Sequence, residues 1–125
     1  MERRSFMTLE SLYKKIGGDY QEIFHRLRKE ERIEKFVLLF LKDQSYQNFQ
    51  DGLKEKEMEH AFRAVHTLKG VSLNLGFQQL FKISDQMTEA LRASDMEKIC
   101  QLLPEFEACY QQHVDVVSEY ADSLT

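Results

Sequence analysis

The side chains with the clearest chemical potential lie mid-chain, in Ala64-Val65-His66-Thr67-Leu68-Lys69-Gly70-Val71-Ser72-Leu73-Asn74-Leu75-Gly76. Met58, Ala61, Phe62, Val65, Leu68, Ser72 and Leu75 recur at spacings of three and four, which predicts one buried face of an α-helix. At about 100° per residue, His66, Lys69, Gly70 and Leu73 share a stripe beside that face. An imidazole, an ammonium and a missing side chain thus fall together on the flank of a helix. An imidazole with an ordinary pKa near 6.5 is a competent nucleophile at neutral pH. A cation about 5–6 Å away in Cβ separation suits an anion carried on that ring. Gly70 is the unusual choice, because glycine inside a helix costs about 1 kcal/mol relative to alanine. It sits one turn from His66 and clears space for another body to approach the ring.

The run His66-Thr67-Leu68-Lys69-Gly70, followed by Leu75-Gly76, resembles the H-x-L-K-G…L-G signature of the histidine-containing phosphotransfer (HPt) domain. Ala61, Phe62 and Ala64 before the histidine fit the family's lead-in, and so does the Gly17-Gly18-Asp19 turn after a short first helix. By pattern the resemblance runs from about Leu9 to Tyr120. It implies that His66 accepts a phosphoryl group at Nε2, that Lys69 offsets part of its charge and that Gly70 provides steric clearance. It implies receiver domains of response regulators, or a hybrid sensor histidine kinase, as partners. The chain itself would need no cofactor, because the acceptor aspartate and its Mg²⁺ belong to the receiver. The implied docking surface uses the helices beside the motif: Leu12, Ile16 and Phe24, with Phe62, Gly70 and Leu73. Many relatives orient the histidine with a Gln on the next helix. By spacing Thr88 takes that place here, with Gln86 half a turn away, and Thr67 is a further candidate for orienting nearby groups.

The elements that must hold this stripe read as helices throughout. Thr8 caps a first helix lined by Leu9, Leu12, Tyr13 and Ile16, which Gly17-Gly18 stops. Asp19 caps a second, with Glu22 placed for a capping box, and Tyr20, Ile23, Phe24 and Leu27 follow. Arg28 to Arg32 mixes both charge signs and reads as a solvated turn or helix face, leaving the end of the second helix open. Ile33, Phe36, Val37, Phe40 and Leu41 begin a core-facing helix, with a break near Asp43-Gln44-Ser45 and Ser45 as its cap. Tyr46, Phe49 and Leu53 lead to the motif helix, about 57–75. Phe77, Leu80, Phe81, Ser84, Met87 and Leu91 line the next helix. Asp95 caps the last, which Pro104 should kink or interrupt. The aromatic pairs Phe36/Phe40 and Phe77/Phe81 read as core. The expected fold is all-α, an antiparallel four-helix bundle with additional short N-terminal helices, formed as a single domain over residues 1–125 with 1–7 as a loose arm.

Composition agrees with this class and narrows the function. The chain has 125 residues, 42% apolar and 30% charged, with one proline and five glycines. That length buries about two-thirds of the unfolded surface without a metal or disulfide. A net charge of −4 argues against nucleic acid as a partner. Without an apolar run of membrane length or a signal-peptide core after Met1-Glu2-Arg3-Arg4, the expected location is the cytoplasm, with no membrane partner. Cys100 and Cys109 would fall on opposite sides of one helix and read as unpaired thiols. His25, His60 and His113 each read as ordinary surface side chains. No Gly-rich nucleotide loop and no Asp-rich ATP box is visible, so the expected role is that of a phosphoryl carrier, not a kinase, acting as a monomer. Two other readings compete: a non-catalytic helical adapter that binds a receiver domain or kinase, and a small helical enzyme or metal protein. The lack of a His/Glu cluster at ligand spacing counts against the last.

Overall fold

The structure is a computed structural model that describes residues 7–124. Seven α-helices follow one another: α1 Leu9–Lys15, α2 Tyr20–Leu27, α3 Glu30–Leu39, α4 Ser45–Lys54, α5 Met58–Leu75, α6 Gln78–Arg92 and α7 Met96–Ser123, with a 3₁₀ turn Phe40–Lys42 after α3. No strand occurs among the described residues. Helices α4 to α7 are joined by connections of two or three residues, which forces antiparallel neighbours. α5 packs on both α4 and α6, and α7 packs on α6. Aromatic rings close the bundle between α4 and α7: Tyr46 stacks on Tyr110 with centroids 4.0 Å apart, and Phe49 meets Phe106 edge-on at 5.1 Å. One cluster of buried apolar side chains runs from Leu9 to Tyr120, so the short helices α1 to α3 share the core of the bundle.

The helix ends follow local chemistry. Thr8 and Ser11 form a reciprocal capping box at α1. Asp19 accepts from the Glu22 N–H at 3.0 Å, but the Glu22 carboxylate does not return the contact; it takes the Arg26 guanidinium at 2.7 Å instead. The open end of the second helix is settled at Leu27, where Arg28 adopts a left-handed conformation and the extended Lys29 is the N-cap of the next helix. Ser45 is not the cap of α4. It is the first helical residue, and its N–H donates to the Asp43 carboxylate at 2.8 Å. Asp95 caps α7 as expected, accepting from the Lys98 N–H.

Other expectations also need correction. Pro104 does not interrupt α7, which is continuous from Met96 to Ser123. Proline removes one donor, and the carbonyl it would have served belongs to Cys100, an exposed residue. Phe36 is exposed rather than core, whereas Phe40 and Phe77 are buried and meet edge-on at 5.2 Å. Of the expected N-terminal arm, residues 1–6 lie outside the described residues, and Met7 packs against the core.

His113 is likewise corrected, because it is fully buried rather than at the surface. Its ring lies against Phe77 at 5.2 Å, and Nδ1–H donates to the Cys109 carbonyl at 2.8 Å. Nε2 is buried with no hydrogen-bond partner. Burial disfavours the imidazolium and pushes the pKa of His113 down, against a smaller upward pull from the Cys109 carbonyl. The unfolded chain therefore binds this proton more readily than the folded one. Stability is at its full value above the ordinary histidine pKa and falls as the pH drops below it, by at most about 1.4 kcal/mol per pH unit for one proton. His113→Phe keeps an aromatic ring against Phe77 and removes the titration. Its denaturation midpoint is expected to fall less steeply between pH 7 and pH 5 than that of the wild type. Equal slopes in urea melts at the two pH values would assign the acid sensitivity to other groups. Cys100 is exposed and Cys109 half-buried, both as free thiols, and burial pushes the Cys109 thiol up to about 11.

Candidate functional site

Helix α5 carries the motif, and its ends are held from several directions. At its C-terminus Gly76 takes the left-handed cap conformation (φ 72°). The last carbonyls of a helix lack intrahelical partners. Here they are taken by groups from α1 and α2. Tyr13 Oη donates to the Leu75 carbonyl at 2.6 Å, and Arg26 Nη2 donates to the Asn74 carbonyl at 2.9 Å. The Asp19 N–H donates to the Gly76 carbonyl at 3.2 Å, which seats the Gly17-Gly18-Asp19 turn on the end of the motif helix. Farther along, α4 approaches closely at Gly52, where a Cβ would stand 2.7 Å from the Ala61 backbone nitrogen. Helix α5 is thus fixed along its buried face, where Ala61, Val65, Leu68 and Ser72 have no exposure.

His66 projects from the flank of α5 and is exposed. Its nearest ring neighbour is Phe62, one turn back, with centroids 6.0 Å apart. The Arg92 guanidinium lies over the far ring of that pair, 5.0 Å from the Phe62 centroid. Lys69 is on the same flank, but its Nζ pairs with Asp85 Oδ1 at 2.8 Å, bridging α5 to α6. Gly70 opens the other side of the ring. A Cβ added there would meet nothing within 4 Å. The glycine is therefore not required by packing among the described residues. What remains is an imidazole with free solid angle, a cation one turn away, and a bare stretch of helix beside it.

The structure assembles part of the expected site and corrects the rest. His66, Lys69 and Gly70 share one flank, as the spacing predicts. Leu73 is 57% exposed and Phe24 41% exposed, while Phe62 is half-buried. Leu12 and Ile16 are not available to a partner. Both have no exposed surface, because the inner face of α1 is used entirely to cover the core. Thr88 sits on the part of α6 that faces His66 in level, between the contacts Phe62–Arg92 and Lys69–Asp85, but it is fully buried and its hydroxyl donates to the Ser84 carbonyl at 2.7 Å. Gln86 lines a groove with Lys82, Glu105 and Gln112 on the α7 side of α6. The Thr67 hydroxyl bonds back to the Arg63 carbonyl at 3.0 Å. None of these three orients the imidazole. Asp85 and Arg92, which do reach this flank, were not singled out by the sequence. They lie two turns apart on one stripe of α6, and the two-residue α5–α6 connection is the signal that brings that stripe level with His66.

No group of three or more His, Cys, Asp or Glu side chains suited to a metal ion occurs among the described residues, and no described helix is long and apolar enough to cross a membrane. No curated protein and no solved structure was found to match the chain. The family model for the Hpt domain matches residues 41–115, which span α4, α5, α6 and most of α7 and include every residue of the His66 flank. With that match over more than half its length, around a helical bundle bearing an exposed histidine, the chain belongs to the Hpt domain family, the histidine phosphotransfer modules of two-component signalling.

Proposed function

We propose that His66 carries a phosphoryl group between aspartates of receiver domains, or from a hybrid sensor histidine kinase to a response regulator, in a multistep phosphorelay. The observation that carries this reading is the open volume beside an exposed imidazole: Gly70 presents no side chain, and none of the described residues stands where one would be. Neutral His66 attacks the phosphorus of an aspartyl phosphate through the Nε2 lone pair. The N–P bond forms in line as the P–O bond to the carboxyl breaks, and the electron pair leaves with the receiver's carboxylate. The phosphorylated ring gives up its Nδ1 proton to solvent, and the reverse sequence discharges it to the next aspartate. Such transfer is mostly positioning and charge neutralisation. Lys69 supplies positive charge from this chain, and the receiver supplies Mg²⁺.

The contact surface follows from exposure. Phe24 and Leu73 remain free of the core. Phe36 and Leu39 are also exposed and line a separate groove with Phe40, Val71 and Leu75. Exposed apolar side chains on the stripe of a reactive group, as Leu73 is for His66, mark an interaction site. The module acts in the cytoplasm as a monomer, because a partner must reach this face. Light scattering is expected to give the monomer mass of 14.8 kDa; a stable dimer that covers His66 would contradict the assignment.

The test is incubation with a panel of receiver domains charged with radiolabelled phosphate. The expected result is loss of label from at least one receiver and its appearance on this chain, stable to base and labile to acid. A receiver that binds tightly yet transfers nothing would establish the adapter reading instead.

A further inference from the structure

Lys69 is already engaged before any phosphoryl group arrives. Its Nζ lies 2.8 Å from Asp85 Oδ1, and the two side chains are 27% and 44% exposed, so the pair is partly shielded from solvent. Other cations near His66 on these two helices are satisfied within their own helix: Arg63 by Glu59 at 2.6 Å and Arg92 by Glu89 at 3.3 Å. Lys69 alone among them takes its counterion from the neighbouring helix. It also stands at the i+3 position from His66, within reach of a group on the ring. One ammonium thus has two claimants, a carboxylate on α6 and an anion on His66.

We infer that Asp85 is a positioning residue that holds Lys69 against α6 while His66 is uncharged and competes for it once His66 bears a phosphoryl group. The inference rests on the phosphocarrier reading for its purpose but not for its test. A dianionic phosphoryl group attracts the ammonium more strongly than a single carboxylate does. Lys69 therefore turns toward the phosphorylated ring, and Asp85 sets how much of that attraction is spent on breaking the existing pair. A weaker hold on the phosphoryl group favours passing it on. Without Asp85 the carrier would keep its cargo longer.

The experiment uses chemical charging, which needs no protein partner. In a His25→Gln, His60→Gln background His66 is the exposed histidine that remains. Potassium phosphoramidate delivers the phosphoryl group: the N–P bond to His66 Nε2 forms, the donor's P–N bond breaks and ammonia leaves. The ³¹P signal is then titrated with pH in four proteins: the background, Asp85→Asn, Lys69→Ala and the double variant. Asp85→Asn is expected to favour the dianionic phosphoryl group, raising its acid dissociation constant by about twofold to fivefold. In the Lys69→Ala protein the same change is expected to have a smaller effect, because only the direct repulsion from the carboxylate is then removed. Equal shifts with and without Lys69, or no shift, would overturn the positioning role. Failure of the background protein to charge at all would overturn the premise that the ring is accessible. Charging by phosphoramidate together with no transfer from any receiver would refute the proposed function while leaving the Asp85 comparison readable.

Discussion

His66→Gln is expected to take up no phosphoryl label from a charged receiver, while melting within about 0.5 kcal/mol of the wild type. Both halves follow from where the ring sits. His66 is exposed on the flank of α5, and its one ring contact is a loose one with Phe62 at 6.0 Å. Glutamine suits a helix interior about as well as histidine, so little of the fold depends on the imidazole. The lone pair proposed to attack phosphorus, however, has no substitute in an amide. His25 and His60 are exposed but lie outside the flank bearing Lys69 and Gly70, and His113 is buried. Replacing His25 or His60 should leave labelling near the wild-type level. Label retained in His66→Gln at an unchanged melting temperature would move the acceptor elsewhere.

Gly70→Gln is expected to transfer phosphate from a receiver about 10–100-fold more slowly, because displacing a partner by an ångström or so is enough to lose that much. The fold should not suffer. A Cβ at position 70 meets nothing within 4 Å, and leaving glycine behind inside a helix gains up to about 1 kcal/mol. The new side chain would stand one turn from His66, in the path of the incoming receiver. A small donor such as phosphoramidate needs little room and should charge this variant at close to the normal rate. Slow charging by both donors would place the fault in the imidazole rather than in access. Normal transfer from the receiver would refute the clearance argument. Gly52 makes the opposite case in the same molecule, since there an added Cβ would press on the Ala61 backbone and packing explains the glycine.

The fold was legible because its signals are local. Thr8, Asp19 and Asp95 cap helices where the pattern places them, and of the motif-helix stripe Ala61, Val65, Leu68, Ser72 and Leu75 are buried as their spacing predicts, with Met58 and Phe62 half-buried at its edge. The placement of the candidate flank was legible for the same reason: His66, Lys69 and Gly70 belong to one helix, so periodicity alone places them together. What was not legible depends on contacts between helices. Leu12 and Ile16 fit a docking face by their position on α1, but the demand for core-covering apolar surface consumes them both. Thr88 has the right level on α6 and the wrong rotation, which spacing along the chain does not reveal. Asp85 needed the α5–α6 register before its pairing with Lys69 could be seen. His113 carries no sequence mark that separates a buried imidazole from an exposed one; its environment is made by Phe77, far away in the chain.

The central claim is that the phosphoryl group resides on His66, and locating it on the wild-type protein tests this most directly. The chain is charged by a phosphorylated receiver, kept at alkaline pH, and mapped by tandem mass spectrometry, with the ring nitrogen assigned by NMR. The account predicts a single phosphoryl group on Nε2 of His66. A phosphoryl group found on any other residue, or none on a chain that nonetheless binds the receiver, would contradict it.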